Sequence, residues 1–219
     1  MITLDRLGQY KPLAMAAMNK LASQLSHALG LQVALVLETQ IDDRLLERMT
    51  QLENEIFSVE DNVYSKDDIR ECLAEEDSML LLLIIDDRIE GYTFGYDDDI
   101  DNPTVKDTEY FIDTAVVSLQ YEHKGIGAAI AGIILLLLYL MGYRNIGILT
   151  EEKDKTGRQL VKFYQRLGFE EVETTEEQGC AMKITLTDQF VKNTCSRLGI
   201  TFPASELTTS AKGNTTGNE

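Results

Sequence analysis

The chain has 219 residues, the length of one domain or two small ones, and 44% of them are hydrophobic, enough for a sizeable core. Thirty-seven acidic against 20 basic residues leave a formal charge of −17. So acidic a surface keeps a protein soluble, repels nucleic-acid phosphates and anionic lipid, and attracts cationic partners such as amines, polyamines or basic protein tails. Cys72, Cys180 and Cys195 are far apart and without paired spacing, which reads as free thiols in a reducing cytoplasm. With only two histidines beside them, they offer too few ligands for a zinc site, and no metal is expected. Asp5 and Arg6 come early with no apolar run after them, which argues against a signal peptide.

"KPLAMAAMNKLASQLSHALG" reads as a helix, with Pro12 in its first turn and Gly30 at its end. Ala14, Met18, Leu21, Leu25 and Leu29 form one apolar stripe, fit to pack on the domain or on a second subunit as a homodimer; His27 lies off it. A strand is expected in "LQVALVLET". A helix in "DDRLLERMTQLENEIF" follows, capped by Asp42 or Asp43, then a shorter one from Ser65 with a capping-box Asp68. "SMLLLLIIDDRIEGYTFGY" reads as strands 79–85 and 89–96 joined by a tight turn. The connection "DDDIDNP" carries alternating aspartates but lacks the glycine and closing acid of a calcium loop.

"EYFIDTAVVSL" is the next strand and leads into "QYEHKGIGAAI". From Gly125 to Tyr143 no residue is charged; at about 1.5 Å per residue that is roughly 28 Å of helix, near the thickness of a bilayer core. The run opens on Gly-Ile-Gly, is interrupted by Gly132, lies between two strands and has one basic residue on each flank. A buried helix therefore explains it better than a membrane span. "YRNIGILT" is a strand, "TGRQLVKFYQRLGF" a helix ended by Gly168, "EEVETT" and "CAMKITL" a strand pair, and residues 189–197 a last short helix. The tail from 203 to 219 is small and polar, and reads as disordered.

Two glycines one residue apart at a helix start can pack tightly or can bare amides to a phosphate. The order of elements, with "AVVSLQYEHKGIGAAI" and "VKFYQRLGFEEVE", resembles the GNAT superfamily of acyl-CoA-dependent N-acyltransferases over residues 31–187. The resemblance implies an α/β (α+β) fold: a mixed, mostly antiparallel central sheet flanked by helices. Residues 1–30 would be an extra helical extension, 188–202 a short C-terminal helix. It implies acetyl-CoA as co-substrate and an amine as acceptor. His123, Lys124, Gly125, Ile126, Gly127 and Ala128 would cradle the diphosphate, and Val116 and Val117 would meet the acyl arm through main-chain amides. Glu122 stands where the family has Arg or Gln, a carboxylate tolerable beside phosphates only if turned to solvent.

In such a family the amine attacks the thioester directly, so a base must take a proton and an acid must protonate the leaving thiolate. The resemblance makes Tyr164 the acid and its contact with CoA. Asp113 and Glu109, on one face of their strand with Phe111, are candidate bases, with Glu151 and Glu152 as rivals. The alternative function is a catalytically inactive acyl-CoA-binding or protein-interaction module, which Glu122 and the absence of a family asparagine near Gly157 would suit.

Overall fold

A computed structural model describes residues 4–57, 63–151, 157, 159–175 and 179–202. The expectations for Glu152 and for the tail lie outside these residues. After a short 3-10 turn at Leu4–Tyr10 come α1 (Lys11–Leu29), β1 (Val33–Glu38), α2 (Asp43–Ile56) and α3 (Lys66–Cys72). The hairpin β2 (Met79–Ile85) and β3 (Arg88–Asp97) follows, then β4 (Tyr110–Val117), α4 (Ile126–Met141), β5 (Asn145–Thr150) and α5 (Leu160–Leu167). The chain continues through β6 (Glu170–Thr175), β7 (Gly179–Thr185) and α6 (Asp188–Leu198). Seven strands form one sheet in the order β1-β2-β3-β4-β5-β7-β6, antiparallel throughout except where β4 meets β5. This is the mixed, mostly antiparallel architecture that the resemblance implied.

The local signals act as their chemistry requires. Asp42 Oδ1 accepts from the Leu45 amide at 2.8 Å and starts α2. Ser65 and Asp68 cap α3 reciprocally, at 3.3 and 2.8 Å. Asp86 and Asp87 both take left-handed φ, +48° and +62°, the geometry of a type I′ turn whose twist matches that of a two-residue hairpin. The acidic connection is occupied with its own closure: Asp98 accepts from the Thr104 amide and hydroxyl and from Thr108 Oγ1, each at 3.0 Å.

Two cores lie on opposite faces of the sheet. On one, α4 buries Ile126, Ile130 and every residue from Ile133 to Leu140 between the sheet and α1 and α6. At roughly 1.5–3 kcal/mol for each fully buried aliphatic side chain, this helix is the largest single contributor to that core. It is 16 residues long, and among the described residues no helix is long and apolar enough to cross a membrane. The α1 stripe (Ala14, Ala17, Met18, Leu21, Ala22, Leu25) is buried in the same core, so its apolar face is satisfied within the chain. The other face carries α2 and α3, packed on Leu80, Leu82, Tyr92, Phe94 and Val116.

Candidate active site

Parallel strands β4 and β5 pair only through Tyr110–Ile112 and Ile146–Ile148. Among the described residues no ladder joins them beyond Ile112, and the edge of β4 from Asp113 to Val117 that this leaves without β5 as partner is the gap between the two strands. Ser118 N–H donates to Glu90 of β3 at 2.8 Å, and the Thr114 carbonyl accepts from Thr93 Oγ1 of β3 at 2.8 Å. Main-chain groups alternate sides along a strand, so the amides of Ala115 and Val117 face the gap. Val116 faces β3 instead: its carbonyl would be 2.7 Å from a Cβ at Gly91, and its side chain is buried under α2. Of the two valines expected to meet the acyl arm, Val117 has its amide at the gap, and Ala115 joins it.

A β-bulge aims the strand's acid. Phe94 pairs with Thr114 and Gly95 with Ile112, leaving Asp113 as the extra residue. The bulge breaks the alternation, so Asp113 and Thr114 both turn to the α2/α3 face. Asp113 Oδ1 accepts from Tyr64 Oη at 2.5 Å; Oδ2 accepts from Tyr96 Oη at 2.9 Å and from Cys72 Sγ at 3.7 Å. Thr114 Oγ1 donates to Glu53 Oε1 at 3.1 Å, and Tyr92 Oη donates to the same oxygen at 2.5 Å. Burial raises the Asp113 pKa above the ordinary carboxylate value, against the three donors that pull it down. Burial also raises Glu53, with the nearby Asp113 charge adding to the rise. The Cys72 thiol is pushed up to about 12 by burial and by Asp113, which keeps it protonated and a donor.

The other acids have different surroundings. Glu109 Oε2 accepts from the amides of Arg144 and Asn145 at 2.7 and 2.9 Å, tying the start of β4 to the start of β5. It shares the expected strand face with Asp113 in sequence, but its carboxylate is engaged at the paired end, away from the gap. Glu151 is exposed just past β5.

The loop between β4 and α4 has His123 at φ +59° and Gly125 at φ +75°. His123, Lys124, Gly125 and Ala128 are exposed, whereas Ile126 is buried and anchors the helix start. The α4 ladder begins with the Ala129 amide donating to Gly125 at 3.1 Å, so the amides of Ile126, Gly127 and Ala128 precede it at the positive end of the helix dipole. Lys124 Nζ lies 5.0 Å from the Tyr121 ring centroid. A Cβ at Gly127 would meet Phe163 of α5 at 3.7 Å, so the second glycine serves close packing as well. Glu122 does not turn to solvent: its side chain is 17% exposed, with Oε2 3.9 Å from Nε2 of the exposed His123. Tyr164 is half-buried on the α4 face of the sheet, edge-on to Phe163 and Phe169 at 5.1 and 5.5 Å between centroids.

Tyr64, Tyr96, Glu53 and Ala115 were not singled out from the sequence. Tyr96 continues the Tyr92–Phe94 alternation of β3, a signal that could have placed it on the face of Asp113. Tyr64, 49 positions from Asp113, gives no such signal.

A sheet parted between two parallel strands, with a glycine loop opening onto a helix at the end of the first, presents main-chain amides to an anionic ligand, and the family comparison makes the protein an acyl-CoA-dependent acyltransferase. The model of the acetyltransferase (GNAT) family matches residues 46–169, more than half of the chain, and the chain belongs to that family. Solved structures share the fold at low identity. Ribosomal-protein-S18-alanine N-acetyltransferase from Escherichia coli is 13% identical, covering 71% of this chain and 94% of its own, with a TM-score of 0.53. A putative GNAT acetyltransferase from Desulfovibrio desulfuricans is 21% identical, covering 69% and 95%, with a TM-score of 0.51. An aminoglycoside 6'-N-acetyltransferase complexed with coenzyme A is 13% identical, covering 69% and 96%, with a TM-score of 0.55. No curated protein sequence matches the chain.

Proposed function

We propose that the protein transfers an acetyl group from acetyl-CoA to a cationic primary amine, on a small molecule or a peptide, by direct attack. The observation that carries this reading is the Asp113 carboxylate, held on the α2/α3 face where β4 has lost its pairing with β5, with Tyr164 on the α4 face of the same sheet. The amides of Ile126, Gly127 and Ala128, with His123 and Lys124, suit a diphosphate at the mouth of α4. The Ala115 and Val117 amides suit the acyl arm and its carbonyl, which they would polarise. Asp113 takes the proton from the incoming ammonium, directly or through water. The amine nitrogen then bonds to the acyl carbon as the carbon–sulfur bond breaks; Tyr164 gives its proton to the departing thiolate, and the acylated nitrogen sheds its second proton through solvent to the Tyr164 phenolate, while Asp113 releases the first to water. A carboxylate whose pKa is raised by burial is a better base near neutral pH than an ordinary one.

The acceptor's charge follows from the surroundings of Asp113. Tyr64, Tyr96, Phe94 and Phe111 supply rings around an acid, and no cation among the described residues acts on it. Aromatic faces and an unopposed carboxylate favour a protonated amine. Isothermal titration with acetyl-CoA, then turnover on diamines, polyamines and basic peptides, tests the reading. Tyr164→Phe should keep acetyl-CoA affinity within about threefold while turnover falls by about 10²-fold or more. No binding at millimolar acetyl-CoA removes the proposal. Binding with no amine acetylated leaves the acyl-CoA-binding module in its place.

A further inference from the structure

The carboxylate assigned above as base is not a lone acid at the gap but the centre of a three-donor clamp. We propose that Tyr64 and Tyr96 are positioning residues for Asp113: one phenol holds each carboxylate oxygen, fixing the orientation of the acid and its readiness to accept a proton. The proposal rests on the reading of Asp113 as the base and extends it to two residues from distant parts of the chain.

The geometry separates the two oxygens. Tyr64 Oη donates to Oδ1 at 2.5 Å, and Tyr96 Oη to Oδ2 at 2.9 Å, with the weaker Cys72 thiol on Oδ2 at 3.7 Å. The three donors come from three elements: the residue before the α3 cap, strand β3, and the last turn of α3. Each ring is held by its own packing, Tyr64 edge-on to Phe94 at 6.0 Å and Tyr96 against Phe111 at 5.8 Å. The phenols therefore cannot follow the carboxylate if it rotates. A hydrogen bond to the ionised form stabilises it, and a donor held in place does so without reorganising.

The groups that face Asp113 are Tyr64 ahead of α3, Cys72 from α3, Tyr96 from β3 and, behind the bulge, Glu53 from α2 with its partner Tyr92. All are neutral donors or acids. Asp113 thus depends on the phenols for what a basic side chain supplies elsewhere. Removing either phenol disfavours the anion, so the pH at which Asp113 becomes competent moves up. The shorter contact matters more, giving an order of effect Tyr64, then Tyr96, then Cys72.

The experiment compares wild type with Tyr64→Phe, Tyr96→Phe and Cys72→Ala, each checked for an unchanged acetyl-CoA affinity and melting temperature. Two readouts are taken: kcat/KM against pH with an amine that wild type acetylates, and the titration of the Asp113 carboxyl carbon by NMR. Below the wild-type midpoint kcat/KM should fall about tenfold in Tyr64→Phe, since one charge-assisted hydrogen bond is worth at least the equivalent of a tenfold change. The loss should be smaller in Tyr96→Phe and least in Cys72→Ala, and activity should recover in each at high pH. A uniform loss at every pH, or a carboxyl titration that does not move, overturns the clamp. Where wild type acetylates no amine, the NMR titration still decides the inference, while the reading of Asp113 as base fails separately. Should Tyr64→Phe melt early, Asp113 titration in the double variant Tyr96→Phe with Cys72→Ala reads the Oδ2 side; should Tyr96→Phe melt early, the titration in Tyr64→Phe reads the Oδ1 side.

Discussion

Gly95 sits opposite the bulge that projects Asp113, and replacing it with alanine tests whether that bulge aims the acid. A Cβ there would overlap the Phe111 carbonyl and would lie 2.8 Å from Tyr110 Cε1 and 3.0 Å from Ile112 Cα, where ordinary contact begins at 3.4 Å. Two of these three neighbours are main-chain atoms of β4, so no side-chain rotation relieves the crowding; β3 and β4 must part. Overpacking of this kind costs about 1–3 kcal/mol, and each ladder bond stretched out of range adds about 0.5–1.5 kcal/mol. Gly95→Ala should therefore lose about 3–5 kcal/mol, a large fraction of the roughly 5–15 kcal/mol that holds a domain together. Urea unfolding reads the loss directly. Under conditions where the variant is still folded, turnover should fall by about 10²-fold, the cost of a reacting group displaced by roughly 1 Å. Acetyl-CoA affinity should stay within about threefold, because the loop at 122–128 lies beyond the far end of β4. A variant that unfolds at the wild-type urea midpoint and acetylates at the wild-type rate would refute the argument.

Asp113→Asn should lower kcat by about 10²- to 10⁴-fold at neutral pH. It should also raise the melting temperature there: the folded pKa of Asp113 is raised, so the wild type loses stability as pH rises from about 3.9 through that pKa. The gain should grow over that window, level off above it and vanish below about pH 3.9; a constant difference at all pH values would contradict the raised pKa. Glu122→Gln should tighten acetyl-CoA binding, since a covered carboxylate beside a diphosphate repels it by about 0.5–2 kcal/mol at ~8 Å, roughly 2- to 30-fold in Kd. Titration calorimetry at two salt concentrations checks this, and an unchanged Kd would mean that the carboxylate is not near the phosphates.

The features legible in the sequence were those with local causes. Asp42, Ser65 with Asp68, and the Asp86–Asp87 turn each act on backbone groups within a few residues, so residue type at that spacing decides the outcome. The uncharged run became a buried helix because its all-round apolar surface has sheet on one side and α1 and α6 on the other. The helix expected from "TGRQLVKFYQRLGF" begins only at Leu160, after Gly157 at φ +82° and an extended Gln159. What could not be read depends on pairing. The bulge exists only in the register of β3 against β4, so strict alternation put Glu109, Phe111 and Asp113 on one face without showing that Thr114 joins them. Glu109, just ahead of β4, and Asp113 within it are both acids of one expected strand, yet one meets the main-chain amides of Arg144 and Asn145 and the other meets three side-chain donors. Only tertiary contact separates them.

On the proposed reading, the strand β4 orders the whole reaction. Its paired end is tied to β5 through Glu109, its bulge turns Asp113 toward α2 and α3, its free edge offers the Ala115 and Val117 amides, and its end feeds the glycine loop. Tyr164 lies on the α4 face and Asp113 on the other, so the acyl carbon, which joins the nitrogen that yields its proton to Asp113 and the sulfur that receives one from Tyr164, would lie between the two faces, in the gap. The acyl donor then enters along the loop, and the amine must arrive from the α2/α3 face. Residues 4–30 pack on α4, the opposite side, and on this reading do not cover the acceptor's approach. Selection among amines falls instead to what surrounds Asp113, where Tyr64 and Tyr96 both hold the base and form the walls against which a cationic acceptor would rest.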